Sequence, residues 1–230
     1  MILKSFAKIN LGLEIKNKRT DGFHNLNTKI IFDLINPNFG IKIDIQKNIP
    51  TGAGLGGGSS NAAAVIFGMN KILNLNFTKN KIIGICEKLG SDVPFFYFGG
   101  TMLCRGKGEI LSKINSLPEC QFLLKFNNQE NYTKNLFNKF DDFSNSSLEN
   151  NKFKIKILKD TILSGDIDKL SKKCFNDFEK IIKILPNWHL TGSGSAIFKI
   201  VNKNYINLDK NILVCKPVNY GVEIIENNWN

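Results

Sequence analysis

The clearest chemical signal in the sequence is a glycine-rich stretch at residues 50–61, in which five of twelve residues are glycine. An apolar run at residues 62–73 follows, so the pattern predicts a loop that leads into a helix, with Ser59 or Ser60 as the N-cap. Glycines let several backbone N–H groups approach one point, and the first turn of a helix adds free N–H groups and a positive dipole end. The stretch therefore predicts a phosphate-binding loop.

The same glycines fit two other nucleotide-binding patterns less well. A dinucleotide fingerprint would need a strand running directly into the glycines and an acidic residue about twenty positions later. Pro50 interrupts the first feature, and residues 80–83 lack the second. A Walker loop needs a lysine near its end, which this loop does not contain. A glycine loop without a ligand stays as the alternative.

Three polar residues in two other stretches are candidates for a reaction centre. Lys8 and Asn10 share one face of a predicted strand, which indicates either a polar cleft or the solvent side of an edge strand. Asp92 follows a predicted helix end at Gly90. Its carboxylate is interpreted either as a base at a cleft or as the cap of a turn.

Two further stretches could contact a nucleotide. Residues 191–195, Thr-Gly-Ser-Gly-Ser, form either an ordinary turn or a second phosphate clamp. Phe23 and His24 follow a predicted turn, where the ring could stack on a base and the imidazole could bond its edge. The alternative is a core phenylalanine next to a surface histidine.

Length and composition favour one large domain or two modest ones, because 42% of the 230 residues are hydrophobic. The formal charge of +11 indicates a polyanionic partner, or only the lysine usage of an AT-rich genome, since the lysines are scattered. None of the five cysteines forms a Cys-x-x-Cys pair, so free thiols and no zinc are expected. No apolar run reaches eighteen residues and no leader is recognisable, so we expect a cytoplasmic protein without a membrane span.

Hydrophobic periodicity predicts an α+β chain. Predicted strands cover residues 2–15, 23–35, 41–46, 122–126, 196–201 and 212–218. Predicted helices cover residues 62–73, 79–89 (capped by Thr78 and ended by Gly90), 152–163, 166–175 and 177–185. A tight hairpin is predicted at Gly99 and Gly100, between strands 95–98 and 101–104. We interpret the pattern as two lobes, residues 1–114 and 115–230, with a cleft between them.

Three of these stretches, in this order, resemble the motifs of the GHMP kinases, which phosphorylate small molecules such as galactose, homoserine and mevalonate. They are Ala7-Lys8-Ile9-Asn10, the glycine loop, and Thr191-Gly192-Ser193-Gly194. Residues 19–24, 89–94 and 176–179 look like the members that act on a cytidine-diphosphate-linked methylerythritol, on the non-mevalonate route to isoprenoids. The resemblance implies a two-lobed fold, with a ribosomal-S5-like N-terminal lobe that binds ATP and a ferredoxin-like C-terminal lobe.

The resemblance also implies roles for individual residues. Lys8 and Asp92 would be catalytic. ATP, with Mg²⁺, would bind to Pro50, Thr51, Gly52, Ala53, Gly54, Leu55, Gly56, Gly57, Gly58, Ser59 and Ser60, with Thr191, Gly192, Ser193 and Gly194 as a second phosphate-side loop. The cytidine substrate would contact Asn10, Phe23, His24, Thr133 and Phe137. No nucleic acid partner and a monomer or weak homodimer are expected.

The chain departs from the family at two places. Phe23 stands where the family usually has tyrosine. The connection at residues 33–41 is very short. At this place the family has a long stretch, which includes a helix and helps to hold the adenine. Two alternatives therefore stay open, namely another small-molecule kinase of this family and a decayed kinase that binds RNA as a basic module.

Overall fold

The computed structural model describes residues 1–15, 41–126, 136, 138–140 and 152–227. The helices are α1 (Gly57–Ile72), α2 (Lys79–Leu89), α3 (Val93–Phe98), α4 (Lys152–Ser164), α5 (Ile167–Lys173) and a 3₁₀ helix at Asp177–Lys180. The strands are β1 (Ile2–Ser5), β2 (Gly12–Leu13), β3 (Met102–Arg105), β4 (Ile110–Lys113), β5 (Cys120–Phe126), β6 (Phe175–Asn176), β7 (His189–Leu190), β8 (Ala196–Asn202), β9 (Leu213–Cys215) and β10 (Val222–Glu226). The predicted strand 23–35 lies outside the described residues.

An antiparallel sheet in the order β7-β8-β5-β9 organises the second half of the chain. Alternate residues of β5 and β8, among them Phe122 and Phe198, point to one face, where Leu158 of α4 and Leu170 of α5 cover them. Ala53 and Leu55 of the glycine-rich loop enter the same core. The loop is therefore anchored to the second half of the chain by apolar burial.

Helices α1, α2 and α3 form a second core. The prediction for α2 is confirmed: the Thr78 hydroxyl oxygen accepts a hydrogen bond from the Lys81 N–H at 3.3 Å, and the helix ends at Gly90. Ile85 and Phe96 are buried between the three helices. None of the helices described in the structure is long and apolar enough to cross a membrane.

Strand β10 returns to the first strand and pairs with β1 antiparallel, with Ser5 opposite Val222. The segment before β10 packs closely on α3. A Cβ atom at Gly221 would overlap with the Phe96 carbonyl oxygen, and one at Gly99 (φ 65°) would overlap with the Tyr220 backbone. Helix α3 is therefore seated by residues from the other end of the chain.

Two predicted strands near the N-terminus are wrong in extent. The strand predicted at residues 2–15 is two short strands, β1 and β2, because β1 pairs with β10 and β2 pairs in parallel with β6. The alternating run at 41–46 forms no strand, and Ile43 and Ile45 are exposed. Both errors arise because alternation does not reveal the pairing partner.

Three predictions in the second part of the chain need correction. The hairpin around Gly99 is wrong: residues 93–98 are helical, since proline fits the first helical turn, and the hairpin is β3–β4. The helix predicted at 177–185 is only the 3₁₀ turn to Lys180, and α5 ends at Lys173 rather than at residue 175. Helix α4 and strands β5 and β8 match their predictions within one or two residues, whereas β9 covers only part of the strand predicted at 212–218.

Candidate active site

The glycine-rich loop winds into α1 through left-handed residues. Gly52, Gly54 and Gly56 have φ angles of 75°, 77° and 71°, a region that side chains disfavour. Gly56 is the N-cap of α1, so the predicted capping by Ser59 or Ser60 is wrong. Ser60 lies inside the helix, and its fully buried hydroxyl donates to the Phe6 carbonyl oxygen at 2.8 Å.

The start of α1 suits an anion. Its first turn contains no acidic residue, and its first N–H groups have no partner within the helix. A Cβ atom at Gly56 would lie 2.5 Å from Phe96 Cζ and 3.3 Å from Lys8 Cε. Only glycine therefore allows this backbone to lie so close to the Phe96 ring, beside the lysine.

Lys8 lies between two oxygen atoms at the edge of this loop. Its Nζ donates to Asn10 Oδ1 at 2.7 Å and lies 3.4 Å from Asp92 Oδ2. The Lys8 side chain is 13% exposed and the Asp92 side chain 40%. The Lys8 backbone N–H donates to the Leu55 carbonyl oxygen at 3.0 Å. The cation is thus held against the loop, while the carboxylate is open to solvent on one side.

Asp92 occupies the N-cap position of α3, but its side chain makes no capping hydrogen bond. The turn of the β3–β4 hairpin lies over it: a Cβ atom at Gly108 would lie 3.0 Å from the Ser91 carbonyl oxygen and 3.5 Å from Asp92 Oδ1. The alternative that Asp92 only caps a turn is therefore not supported by its contacts.

The charges of Lys8 and Asp92 also affect the pKa of the Cys104 thiol, in β3. Desolvation, followed by the charge of Asp92, raises the pKa of this thiol to about 11, while Lys8 opposes the shift. The residue as a whole is exposed. The two observations are compatible because whole-residue exposure includes backbone atoms, whereas the pKa depends on the atoms around the sulfur.

The second glycine-rich turn contacts the first one directly. The Ser195 N–H donates to the Gly52 carbonyl oxygen at 3.3 Å, and the Ala196 N–H donates to the Ala53 carbonyl oxygen at 3.2 Å. A Cβ atom at Gly54 would lie 2.8 Å from the Gly194 nitrogen. The two loops are therefore packed backbone against backbone.

Thr191 connects this turn to the lysine. Its side-chain oxygen, which is fully buried, accepts a hydrogen bond from the Asn10 backbone N–H at 3.1 Å. The structure thus brings together Lys8, Asn10, Asp92 and both glycine-rich loops. Four residues predicted to contact the cytidine substrate, Phe23, His24, Thr133 and Phe137, lie outside the described residues.

Sequence reasoning missed Phe96 and Gly108, which shape the walls around the lysine and the aspartate. The repeated glycines at 106 and 108, both with positive φ, were a usable signal for a tight turn. Nothing local indicated that Phe96 would touch Gly56, because the contact joins residues forty positions apart.

Comparisons with known proteins agree with this geometry. The family model described as the GHMP kinases N terminal domain matches residues 25–100. The relative from Caldicellulosiruptor saccharolyticus, named 4-diphosphocytidyl-2-C-methyl-D-erythritol kinase, is 31% identical, and the match covers 89% of each chain. The relative of the same name from Thermosipho melanesiensis is 35% identical, with 86% of this chain and 90% of the relative covered.

Solved structures show the same fold. A crystal structure of 4-(cytidine 5'-diphospho)-2C-methyl-D-erythritol kinase superposes with a TM-score of 0.67 at 22% identity, covering 86% of this chain and 90% of the other. A homoserine kinase from Cytophaga hutchinsonii gives a TM-score of 0.57 at 16% identity, covering 78% and 70%. With the two relatives above, these matches lead to one conclusion: the chain belongs to the 4-diphosphocytidyl-2-C-methyl-D-erythritol kinase family and has the GHMP kinase fold of mixed helices and strands.

Proposed function

We propose that the chain uses ATP to phosphorylate the 2-hydroxyl of 4-diphosphocytidyl-2-C-methyl-D-erythritol, in the non-mevalonate route to isoprenoid precursors. The observation that carries the proposal is the placement of the Lys8 ammonium between Asn10 and Asp92, next to the start of α1. The substrate is inferred from the names of the relatives, which match most of the length of the chain.

Asp92 is proposed as the acceptor of the hydroxyl proton. As this proton moves to the carboxylate, the substrate oxygen forms a bond to the γ-phosphorus, the bond to the β–γ bridging oxygen breaks, and ADP leaves. Lys8 stabilises the negative charge that develops on the substrate oxygen as its proton leaves. Because Lys8 is fixed by Asn10 and by the backbone at Leu55, little reorganisation is needed during the reaction.

The phosphates are proposed to bind where the glycine-rich loop enters α1. Backbone N–H groups suit this task, because phosphoryl transfer depends on positioning and on neutralising oxygen charge. The side chains of Ala53, Leu55 and Ser60 are buried, so these three residues would act through their backbones. The turn at 191–194 would pack against the glycine-rich loop and form the second loop on the side of the phosphates.

The residues around the loop fit a Mg²⁺ ion that arrives with the nucleotide. Such an ion is held mainly by phosphate oxygens and water, with one or two protein oxygens. The hydroxyl of Ser59, in the first turn of α1, would supply a protein oxygen. Bound there, Mg²⁺ would neutralise phosphate charge.

For the cytidine side we propose Asn10, Phe23, His24, Thr133 and Phe137, on the family resemblance. We further propose lobes at residues 1–114 and 115–230, ribosomal-S5-like and ferredoxin-like. The antiparallel sheet covered by α4 and α5 supports the second assignment. Strand β10 pairs with β1, so the last strand contributes to the first lobe. The chain is proposed to act as a monomer or weak homodimer without nucleic acid.

The test is ADP release with three acceptors: the full cytidine substrate, CDP, and free methylerythritol. We expect turnover with the first and little with the other two. Comparable activity with an acceptor that lacks the cytidine group would refute the proposed substrate. It would favour the alternative that the chain is another small-molecule kinase. Tight RNA binding at moderate salt without ADP release would refute the kinase altogether.

A further inference from the structure

The stretch Asn176-Asp177-Phe178-Glu179 has no part in the phosphoryl transfer described above. Three of its side chains nevertheless bind backbone groups that are distant in sequence. Asp177 Oδ2 accepts a hydrogen bond from the Ile15 N–H at 2.9 Å, and Glu179 Oε1 accepts one from the Leu190 N–H at 2.8 Å. The stretch therefore joins separate segments of the chain.

Asn176 makes the most demanding set of contacts. Its Nδ2 donates to the carbonyl oxygens of Leu190 at 3.0 Å and Gly192 at 2.8 Å, while its Oδ1 accepts from the Phe178 N–H at 3.1 Å. Asn176 is only 3% exposed. A side-chain amide offers two N–H donors and one acceptor in a single plane. A carboxylate of the same shape would instead place an oxygen against two carbonyl oxygens.

The carbonyl groups that Asn176 holds belong to the turn that supports the phosphate loop. Gly192 has a φ of 59°, and a Cβ atom there would lie 2.8 Å from the Gly54 carbonyl oxygen. Thr191, between the two clamped carbonyls, accepts the hydrogen bond from the Asn10 N–H. A shift of this turn would therefore move the phosphate loop directly, and would reach the lysine only second-hand, through Asn10 and through the loop itself.

We propose that Asn176 is a positioning residue for the nucleotide: its amide fixes the turn at 190–192 and thereby sets the shape of the phosphate loop. The proposal rests on the proposed function, in which that loop binds ATP. Loss of the amide should weaken nucleotide binding more than it weakens binding of the cytidine substrate.

The test compares Asn176→Asp with Asn70→Asp. Asn70 in α1 is a matched control, because its amide donates to the Tyr97 hydroxyl at 3.2 Å and accepts from the Phe77 N–H at 3.3 Å, away from both glycine-rich loops. Calorimetric titration with ADP gives a Kd that does not depend on turnover. We expect a rise of about tenfold or more for Asn176→Asp, the equivalent of one buried hydrogen bond, and less than about twofold for Asn70→Asp. Both should lower the melting temperature.

A pH series separates positioning from general loosening. Burial raises the pKa of a carboxyl group, and its protonated form regains one donor. The Kd of Asn176→Asp relative to that of the original protein should therefore fall as the pH is lowered from about 8 to 6, while the Asn70→Asp ratio stays flat. If Asn176→Asp does not fold, Asn176→Ala removes both donors without placing an oxygen against the two carbonyl groups, and it should still raise the Kd more than Asn70→Ala does.

Equal Kd values for the Asn176 and Asn70 variants would overturn the inference, and so would a larger effect on the KM of the cytidine substrate. These outcomes are distinct from failure of the proposed function. If the original chain binds added ADP but forms no ADP from ATP, the proposed kinase activity is refuted. The binding comparison then still decides the role of Asn176. Failure of the original chain to bind ADP would refute both.

Discussion

Gly54→Ala should separate the two glycine-rich loops. The new Cβ atom would overlap with the Thr191 carbonyl oxygen and lie 2.8 Å from the Gly194 nitrogen, and neither backbone atom can rotate away. The residue also has a φ of 77°, where a side chain costs about 1–2 kcal/mol. Overpacking adds about 1–3 kcal/mol.

Gly165→Ala isolates the backbone strain. Gly165 lies between α4 and α5 with a φ of 72°, and a Cβ atom there would meet nothing within 4 Å. The free energy of unfolding of Gly54→Ala should therefore fall below that of Gly165→Ala by about 1–3 kcal/mol. For a chain of this size, that difference lowers the melting temperature by roughly 2–12 °C.

The assay is thermal unfolding of both variants, followed by the KM for ATP of each. We expect Gly165→Ala to retain its KM and Gly54→Ala to raise it about tenfold, because a displaced loop no longer aligns its N–H groups. Melting temperatures within about 1 °C of each other would refute the close contact between the loops.

Three further predictions concern the reaction centre, its thiol and the nucleotide base. Asp92→Asn should lower kcat by about a hundredfold or more with little change in KM, since general-base help is worth about 10²–10⁴; retention of a third of the original kcat would leave Asp92 only a turn residue. Alkylation of Cys104 should be slow below about pH 10, because its thiol pKa is raised to about 11. Asp92→Asn should speed the alkylation, because it removes a negative charge that raises this pKa. An unchanged pH–rate profile in the variant would contradict the proximity of Cys104 and Asp92. With the connection at residues 33–41 shortened, kcat/KM for ATP and GTP should agree within about tenfold, because base choice needs buried polar partners, and a preference above roughly a hundredfold would show that another segment selects adenine.

The sequence predicted which residues lie together better than it predicted the elements that carry them. Lys8 and Asn10 were expected to share a face, and their side chains are hydrogen-bonded, although the strand assumed to align them is interrupted after Ser5. Glycine content located the left-handed turns that lead into α1, because glycine adopts positive φ angles that other residues disfavour. The N-cap was misjudged because the helix begins within the glycine run, at Gly57, whereas the apolar pattern starts only at Ala62.

Contacts between distant segments account for the remaining differences. Val93–Phe98 is helical, but a run of aromatic residues also fits a strand. Its environment is set by α1 and by Gly221. Local hydrophobic periodicity did not predict the pairing of β10 with β1, because each strand is short and the two are more than two hundred residues apart in sequence.

The pairing of β1 with β10 has a consequence for synthesis. Ser5 emerges from the ribosome about 220 residues before Val222, its partner in the sheet. At about 5–20 residues per second, translation of the intervening chain takes on the order of 10–40 s. During this time β1 lacks its partner strand, and α3, which carries Asp92 at its N-cap, lacks the Gly221 segment that seats it. The β1–β10 pair and the final packing of α3 therefore form only after translation has passed residue 222.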